Sequence, residues 1–319
     1  MQKEFPAINR GTTGMKPSIL ILGASGRTGR SVVQALEKQP EAVEVVLASR
    51  RHDQVDAWKR EGQHAVYLDL DDARTFPEAL AGIDRLYLMT GYTVAMVHQS
   101  KTIVDAAAES GVSFMVHLGI FGNGKSTDPH FAWHEMIERY IEGSGVAWCH
   151  LHPHFFMENL LTSYPLLNER LVWFMGQRPV GWIANDDLAA VAAKVLAEGP
   201  AKHAGQNYWL STEVMNGVEA ARALTQGLGR DIECVVRTPD DLMALLASQS
   251  FVLPSASTME ATYAASTLEW MRQTYDGRLA YSAIATTTVQ DLLGRSPLGL
   301  RQWAQLHRDA VLAASIATV

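Results

Sequence analysis

One short passage near the start constrains the chain more than any other. The apolar, β-type run Ser18-Ile19-Leu20-Ile21-Leu22 ends directly in Gly23-Ala24-Ser25-Gly26-Arg27-Thr28-Gly29. An amphipathic stretch from Arg27 to Lys38 follows, with Val32, Val33 and Leu36 on one face. A strand that turns on three glycines into a helix is the opening of a parallel βαβ unit. Gly23 permits the tight turn, Gly26 lets a pyrophosphate approach the backbone, and Gly29 lets the helix pack close to the strand. The helix start then offers free N–H groups and a partial positive charge to phosphates. Ser25, Arg27 and Thr28 stand around that point.

The rhythm continues downstream. Strand patterns recur at 43–48, 64–70, 85–89, 114–118 and 146–151, and helical patterns lie between them at 54–61, 73–81, 94–110 and about 130–143. This alternation predicts an α/β fold: a Rossmann-type, doubly wound parallel sheet covered on both faces. The nucleotide-binding domain is expected over residues 17–154, with returning segments near 180–210. After Pro153 the rhythm changes. Residues 155–164 read as helical, 180–183, 207–210 and 233–237 as short strands, and a helix is expected to start near Asn185 or Asp186. Residues 155–319 are therefore expected to form a smaller, mainly helical substrate-side lobe that sends one or two strands back to the sheet. Residues 1–16, polar and broken by Pro6, Gly11 and Gly14, read as a flexible extension without the apolar core of a secretory signal.

The end of the second strand separates the two nicotinamide cofactors. An NAD site places a carboxylate there to bind the ribose 2′-hydroxyl. Here the strand ends Ser49-Arg50-Arg51. A guanidinium suits a 2′-phosphate, so NADP(H) is the expected cofactor, with Arg27 able to close on the same phosphate. Ligands of open α/β sheets lie beyond the carboxyl ends of the strands. That rule adds Asp69 and Leu70 beside the adenine, Met89, Thr90 and Gly91 after the fourth strand, and Leu118 and Gly119 near the nicotinamide.

Composition removes several classes of function. A net charge of −7 argues against nucleic acid, which needs a clustered positive surface. No run approaches the ~20 apolar residues that cross a bilayer. Cys149 and Cys234 form no Cys-x-x-Cys pair, which points to a reducing, cytoplasmic setting. Six of the eleven histidines lie between His117 and His154, and Cys149-His150-Leu151-His152-Pro153-His154 invites a metal reading. The spacing matches no zinc pattern, so no metal is expected.

GASGRTG, SRR, YLDLDD and HFAWHEMIERYIEGSGVAWCHLHPHFFMENL (130–160) together resemble the NmrA-like family of atypical short-chain dehydrogenase/reductases. Asn185-Asp186-Asp187-Leu188-Ala189 fits the same likeness, which is good over about 17–210 and loose beyond. The family contains NADPH-dependent quinone oxidoreductases, azo-dye reductases, iminium reductases, and regulators that sense NADP without turnover. The chain departs from ordinary short-chain dehydrogenases. Tyr140 is followed four residues later by Ser144 rather than lysine, and the fifth strand ends in Leu118-Gly119 rather than serine. Related reductases carry a lysine on this helix near the nicotinamide. The matching position is His134, which makes it the catalytic candidate, able to bind a ribose hydroxyl or donate a proton. The resemblance puts Arg-Pro where His152-Pro153 stands, so His152 reads as a substitution at a structural position.

Tyr92, His154, Phe155, Met157, Asn159 and Tyr164 are the candidates for the substrate side. Aromatic and methionine side chains suit a flat, conjugated small molecule. The expected function is hydride transfer from NADPH to a quinone, azo compound or iminium. The alternative is a non-catalytic NADP-binding sensor. A homodimer is left open.

Overall fold

The computed structural model describes residues 16–125, 127–248 and 259–315. Most of the expected N-terminal extension lies outside these residues. Seven strands form one all-parallel sheet: β1 (Ser18–Ile21), β2 (Glu44–Ser49), β3 (His64–Tyr67), β4 (Arg85–Leu88), β5 (Phe114–Leu118), β6 (Ala147–Pro153) and β10 (Gln206–Leu210). Their order is β10-β6-β5-β4-β1-β2-β3. The winding reverses between β1 and β4, where a crevice opens at the carboxyl ends of the strands.

The continuous apolar run of β1 follows from burial on both faces. Ile19 and Ile21 point into one cluster with Val32, Val33 and Leu36 of α1 (Arg27–Glu37) and Leu188, Val191 and Val195 of α6 (Asn185–Glu198). Leu20 and Leu22 point into the other, with Ile103 and Val104 of α4 (Met96–Glu109) and Ile137 and Ile141 of α5 (Pro129–Gly143). Each such fully buried aliphatic side chain contributes about 1.5–3 kcal/mol. The expected helix at 73–81 is instead a 3-10 turn (Ala73–Thr75) running into a short α-helix (Phe76–Ala79). Thr75 Oγ1 donates to the Asp72 carbonyl there, and Pro77 opens the second piece.

A second body packs beyond β6. The helix expected at 155–164 is replaced by β7 (Phe155–Phe156) and a 3-10 turn (Met157–Leu161). Phe155 and Phe156 pair in parallel with Trp182 and Ile183 of β9 (Val180–Ile183), which also pairs with β11 (Glu213–Met215). The strand pairing satisfies a backbone that a helix would have bonded internally. Another two-stranded sheet joins β8 (Arg170–Trp173) to β12 (Glu233–Val236). Neither β8 nor β11 was expected. Helices α8 (Gly217–Leu228), α10 (Ala261–Asp276) and α12 (Leu300–Leu306) pack around a core of Trp173, Trp182, Leu224, Met271 and Trp303. The strand that returns to the main sheet is β10, parallel to β6.

Candidate functional site

The seven parallel strands point the same way, so the segments that follow them gather along one edge. Gly23, with φ +66°, turns the chain after β1. A Cβ there would stand 2.7 Å from the Met89 sulfur, so the turns after β1 and β4 touch across the crevice. A Cβ on Gly29 would lie 2.2 Å from the Gly23 carbonyl oxygen, which fixes how closely α1 approaches the turn. No side chain caps the start of α1, and its first turn carries no acid. Its leading N–H groups have no intrahelical acceptor. Gly23, Ser25, Gly26 and Arg27 are exposed, Thr28 is half-buried and Gly29 is buried.

The three arginines differ. Arg51 pairs with Asp53 at 2.5 Å and opens α2 (His52–Arg60). Arg27 reaches across the crevice and donates to the Glu158 carbonyl at 3.3 Å. Arg50 is exposed and makes no ion pair with the described residues. It is the guanidinium left free at the end of β2. Asp69 accepts from the Asp71 N–H at 3.1 Å, and Leu70 is half-buried beside it.

After β4, Met89 and Thr90 are half-buried while Gly91 and Tyr92 are exposed. Glu260 pins this loop: its N–H donates to the Tyr92 carbonyl, and its carboxylate accepts from Thr93 Oγ1 and the Val94 N–H. Tyr263 of α10 lies 5.4 Å from the Tyr92 ring and 6.0 Å from Trp133. Close by, Asp128 caps α5, and His130 Nδ1 sits 2.5 Å from its Oδ1. Ser266 Oγ donates to that same carboxylate oxygen and lies 2.9 Å from the same imidazole nitrogen. A nucleophile needs the far nitrogen of the ring as its base. This buried set therefore fastens α10 to α5 and does not form a hydrolytic triad.

His134 is half-buried on α5, with its Nδ1 wholly buried and without a hydrogen-bond partner among the described residues. Burial, reinforced by His130, lowers its pKa to about 3. At neutral pH the ring is thus a neutral donor and acceptor. Leu118 is half-buried, and Gly119 is buried under Glu138, whose Oε1 would meet a Cβ at 2.7 Å. Burial, with Glu142 nearby, raises the Glu138 carboxyl to about 8. His152 Nδ1 lies 3.4 Å from Glu138 Oε1 and 2.9 Å from the Ile120 carbonyl, and its Nε2 lies 2.9 Å from Asn207 Oδ1.

His154 accepts from the Phe155 N–H through Nδ1, and its ring lies 5.0 Å from Phe121. Burial lowers it to about 4. The expectation that Phe155 and Met157 line an open pocket gives way to packing. Met157 has no exposed surface, and Phe155 stands edge-on to Trp182 at 4.8 Å and Tyr164 at 5.2 Å. Tyr164 is also buried, with a hydroxyl that has no hydrogen-bond partner among the described residues. The Asn159 carbonyl accepts from the Thr162 and Tyr164 N–H groups, which makes it a turn residue.

Two residues that sequence reasoning missed organise the surroundings. Glu138 reads as a solvent-facing helix charge until β6 covers it. Glu158 is buried, and its carboxylate accepts from Trp303 Nε1 at 2.8 Å and from the Asn185 N–H at 3.0 Å. Its carbonyl meanwhile takes Arg27, so one residue joins the glycine turn, α6 and α12. Among the described residues no group of three His, Cys, Asp or Glu is placed to hold a metal, and no helix is long and apolar enough to cross a membrane.

Fold and site define a doubly wound α/β protein of Rossmann type, with an uncapped glycine turn at the first crossover. The chain belongs to the NmrA-like family, whose family model matches residues 15–285. It is 27% identical over 302 residues to an NAD(P)H azoreductase of Xenophilus azovorans, covering 93% of this chain and 100% of that one. To quinone oxidoreductase 2 of Escherichia coli (strain K12) it is 28% identical over 235 residues, covering 72% and 81%. The solved structure of Citrobacter sp. triphenylmethane reductase complexed with NADP(H) superposes with a TM-score of 0.75 at 18% identity, over 94% of this chain and 100% of that one.

Proposed function

We propose that this protein is an NADPH-dependent reductase that delivers hydride to a conjugated small acceptor: a quinone, an azo compound or an iminium. The observation that carries the reading is the pairing of an uncapped glycine turn with a free guanidinium at the end of β2. Gly23 to Gly29 fit a pyrophosphate, because a Cβ would crowd the turn at Gly23 and Gly29 and no side chain competes for the helix start. Arg50 takes the 2′-phosphate, since Arg51 is engaged by Asp53 and Arg27 by the Glu158 carbonyl. Asp69 and Leu70 border the adenine, and Met89 to Gly91 with Leu118 and Gly119 flank the path to the nicotinamide.

NADPH supplies the hydride; the chain supplies position and exclusion of water. His134, neutral at physiological pH, orients the reacting groups by a hydrogen bond. Tyr92 and His154 face the acceptor. A conjugated acceptor spreads the charge that develops on it, so the Tyr-xxx-Lys pair of ordinary short-chain dehydrogenases is not required. The relatives named for azo and quinone reduction support this class of acceptor. A small-molecule ligand fits the net charge of −7 better than nucleic acid does. A cytoplasmic location and a homodimer are compatible with the same reading.

The test is a paired titration with NADPH and NADH, followed by the reduced-nicotinamide absorbance with a panel of quinones, azo dyes and cyclic iminium ions. Tighter binding of NADPH and acceptor-dependent loss of absorbance are expected. Binding without consumption across the panel would replace the reductase by a sensor, and no binding of either nucleotide would end the proposal.

A further inference from the structure

The sheet face under α5 is unusual for a core. His117 on β5 and His150 and His152 on β6 occupy positions of the pleat that point toward this helix, and all three are buried. They continue into one another. The His134 ring lies 6.0 Å from His117, His117 lies 5.3 Å edge-on from its cross-strand partner His150, and His150 lies 6.0 Å from His152. His150 Nε2 in turn stands 3.9 Å from Glu142 Oε1, and the Glu142 side chain is 27% exposed. The line therefore runs from the carboxyl edge of the sheet, along α5, to the surface.

Four nitrogens on this line, Nδ1 of His134, His117 and His150 and Nε2 of His150, are buried and have no hydrogen-bond partner among the described residues. A buried polar atom without a partner costs about 1–3 kcal/mol. Internal water ordinarily satisfies such groups where several converge. Polar atoms too far apart for a direct hydrogen bond are commonly bridged by a water molecule.

We propose that His117 and His150, bridged by internal water, form a proton relay from Glu142 at the surface to His134 at the acceptor. The proposal rests on the reductase reading above. When a quinone takes the hydride, NADPH is oxidised to NADP+ and a phenolate-type oxygen is left on the acceptor. That oxygen takes a proton from His134. The ring recovers one from His117, which recovers one from His150, and Glu142 draws on bulk water. The sum is quinone, NADPH and one proton giving quinol and NADP+.

Each imidazole takes a proton at one nitrogen as it releases one from the other, so no cation accumulates. This suits rings that burial and mutual repulsion keep neutral, His150 at about 3 and His117 well below its ordinary value. The other groups facing the line are Glu135, Glu138 and Arg139 on α5, His130 at its start, His152 on β6 and Asn207 on β10. The Ile120 carbonyl and Asn207 hold His152 aside as a hydrogen-bonded neighbour.

Acceptor chemistry supplies an internal control. A quinone needs hydride and a proton. A cationic acceptor, such as an iminium or a triarylmethane dye, needs hydride alone. In His150→Phe and His150→Gln, quinone turnover is expected to fall tenfold or more, while turnover of the cation stays within twofold and NADPH affinity is unchanged. A second readout needs no cofactor. In ¹⁵N-histidine-labelled protein, the His117 ring N–H is expected to exchange with water in the wild type and at least tenfold more slowly in His150→Phe. Should that variant fail to fold, Glu142→Gln cuts the same line at its surface end. Equal losses with both acceptors, or exchange unchanged in the variants, overturn the relay alone. Wild-type protein that oxidises NADPH with neither acceptor overturns the reductase reading, and the relay's destination with it.

Discussion

Replacing Glu138 by glutamine should remove an alkaline weakness from the fold. The Glu138 side chain is 16% exposed, and burial holds its carboxyl at about 8 against an ordinary 4.5. In the folded protein it is protonated at pH 6 and ionised at pH 9; in the unfolded chain it is ionised at both. Between these limits the native state binds the extra proton, so stability falls as pH rises through the folded value. The loss is about 1.36 kcal/mol for each pH unit from 6 to 8, or roughly 2–3 kcal/mol in all, softened by residual solvent contact. With an m-value near 3 kcal/mol/M, this carboxyl alone should lower the urea midpoint by about 0.8 M between pH 6 and pH 9. In Glu138→Gln that share of the drop should vanish, with the midpoint at pH 6 nearly unchanged. The difference between the two curves isolates this carboxyl, because Glu158, also raised by burial, contributes equally to both. Superimposable pH dependences would refute the burial argument.

Below pH 6.5 the slope should reverse. His134 and His150 at about 3 and His154 at about 4 refuse protons that their unfolded counterparts accept, so wild-type urea midpoints should fall steeply toward acid and peak near pH 6–7. Gly29→Ala forces a Cβ against the Gly23 carbonyl and should cost about 1–3 kcal/mol; calorimetry would show it, together with weaker NADPH binding, and unchanged melting would contradict the close approach. Arg50→Ala should weaken NADPH roughly 10- to 100-fold, the value of a charge-assisted contact, and leave NADH within about twofold; equal effects on both would move the 2′-phosphate elsewhere. Trp303→Phe removes the donor to Glu158 Oε1 and should cost about 1–3 kcal/mol by denaturation, whereas a neutral result would mean that water replaces the indole.

The parts legible in the sequence are those where local pattern and tertiary role agree. Ile19 to Leu22 had to be a buried strand because every residue in it is apolar, and the glycines after it had to turn. Phe155 to Tyr164 misled because Phe156, Leu160 and Tyr164 fall at helical spacing, while the bonding that decides their state comes from Trp182, distant in sequence. Arg170 to Trp173 and Glu213 to Met215 are too short to carry a periodicity. In the site, the glycine turn and the arginines after β2 were readable, but which arginine stays free depends on Asp53 and on the Glu158 carbonyl. Glu138 and Glu158 were invisible for one reason: a carboxylate in a polar helical or turn pattern reads as solvated, and only the packing of β6 and α12 buries it. Met157 was misassigned for the converse reason, since an apolar side chain near a crevice has the same composition as one beneath it.

The arrival of β10 at the edge of the sheet bears on how the chain is made. β6 emerges with only one neighbour, β5, and its other side stays open until β10 is synthesised about fifty residues later. At about 5–20 residues per second, the ribosome leaves that row of backbone donors and acceptors uncovered for several seconds. An open edge is a template for pairing with another chain. Newly made molecules therefore pass through an interval in which the β6 edge, closed in the finished sheet by β10, can pair with another chain, and slow synthesis of 154–206 should lower soluble yield without touching the stability of what folds.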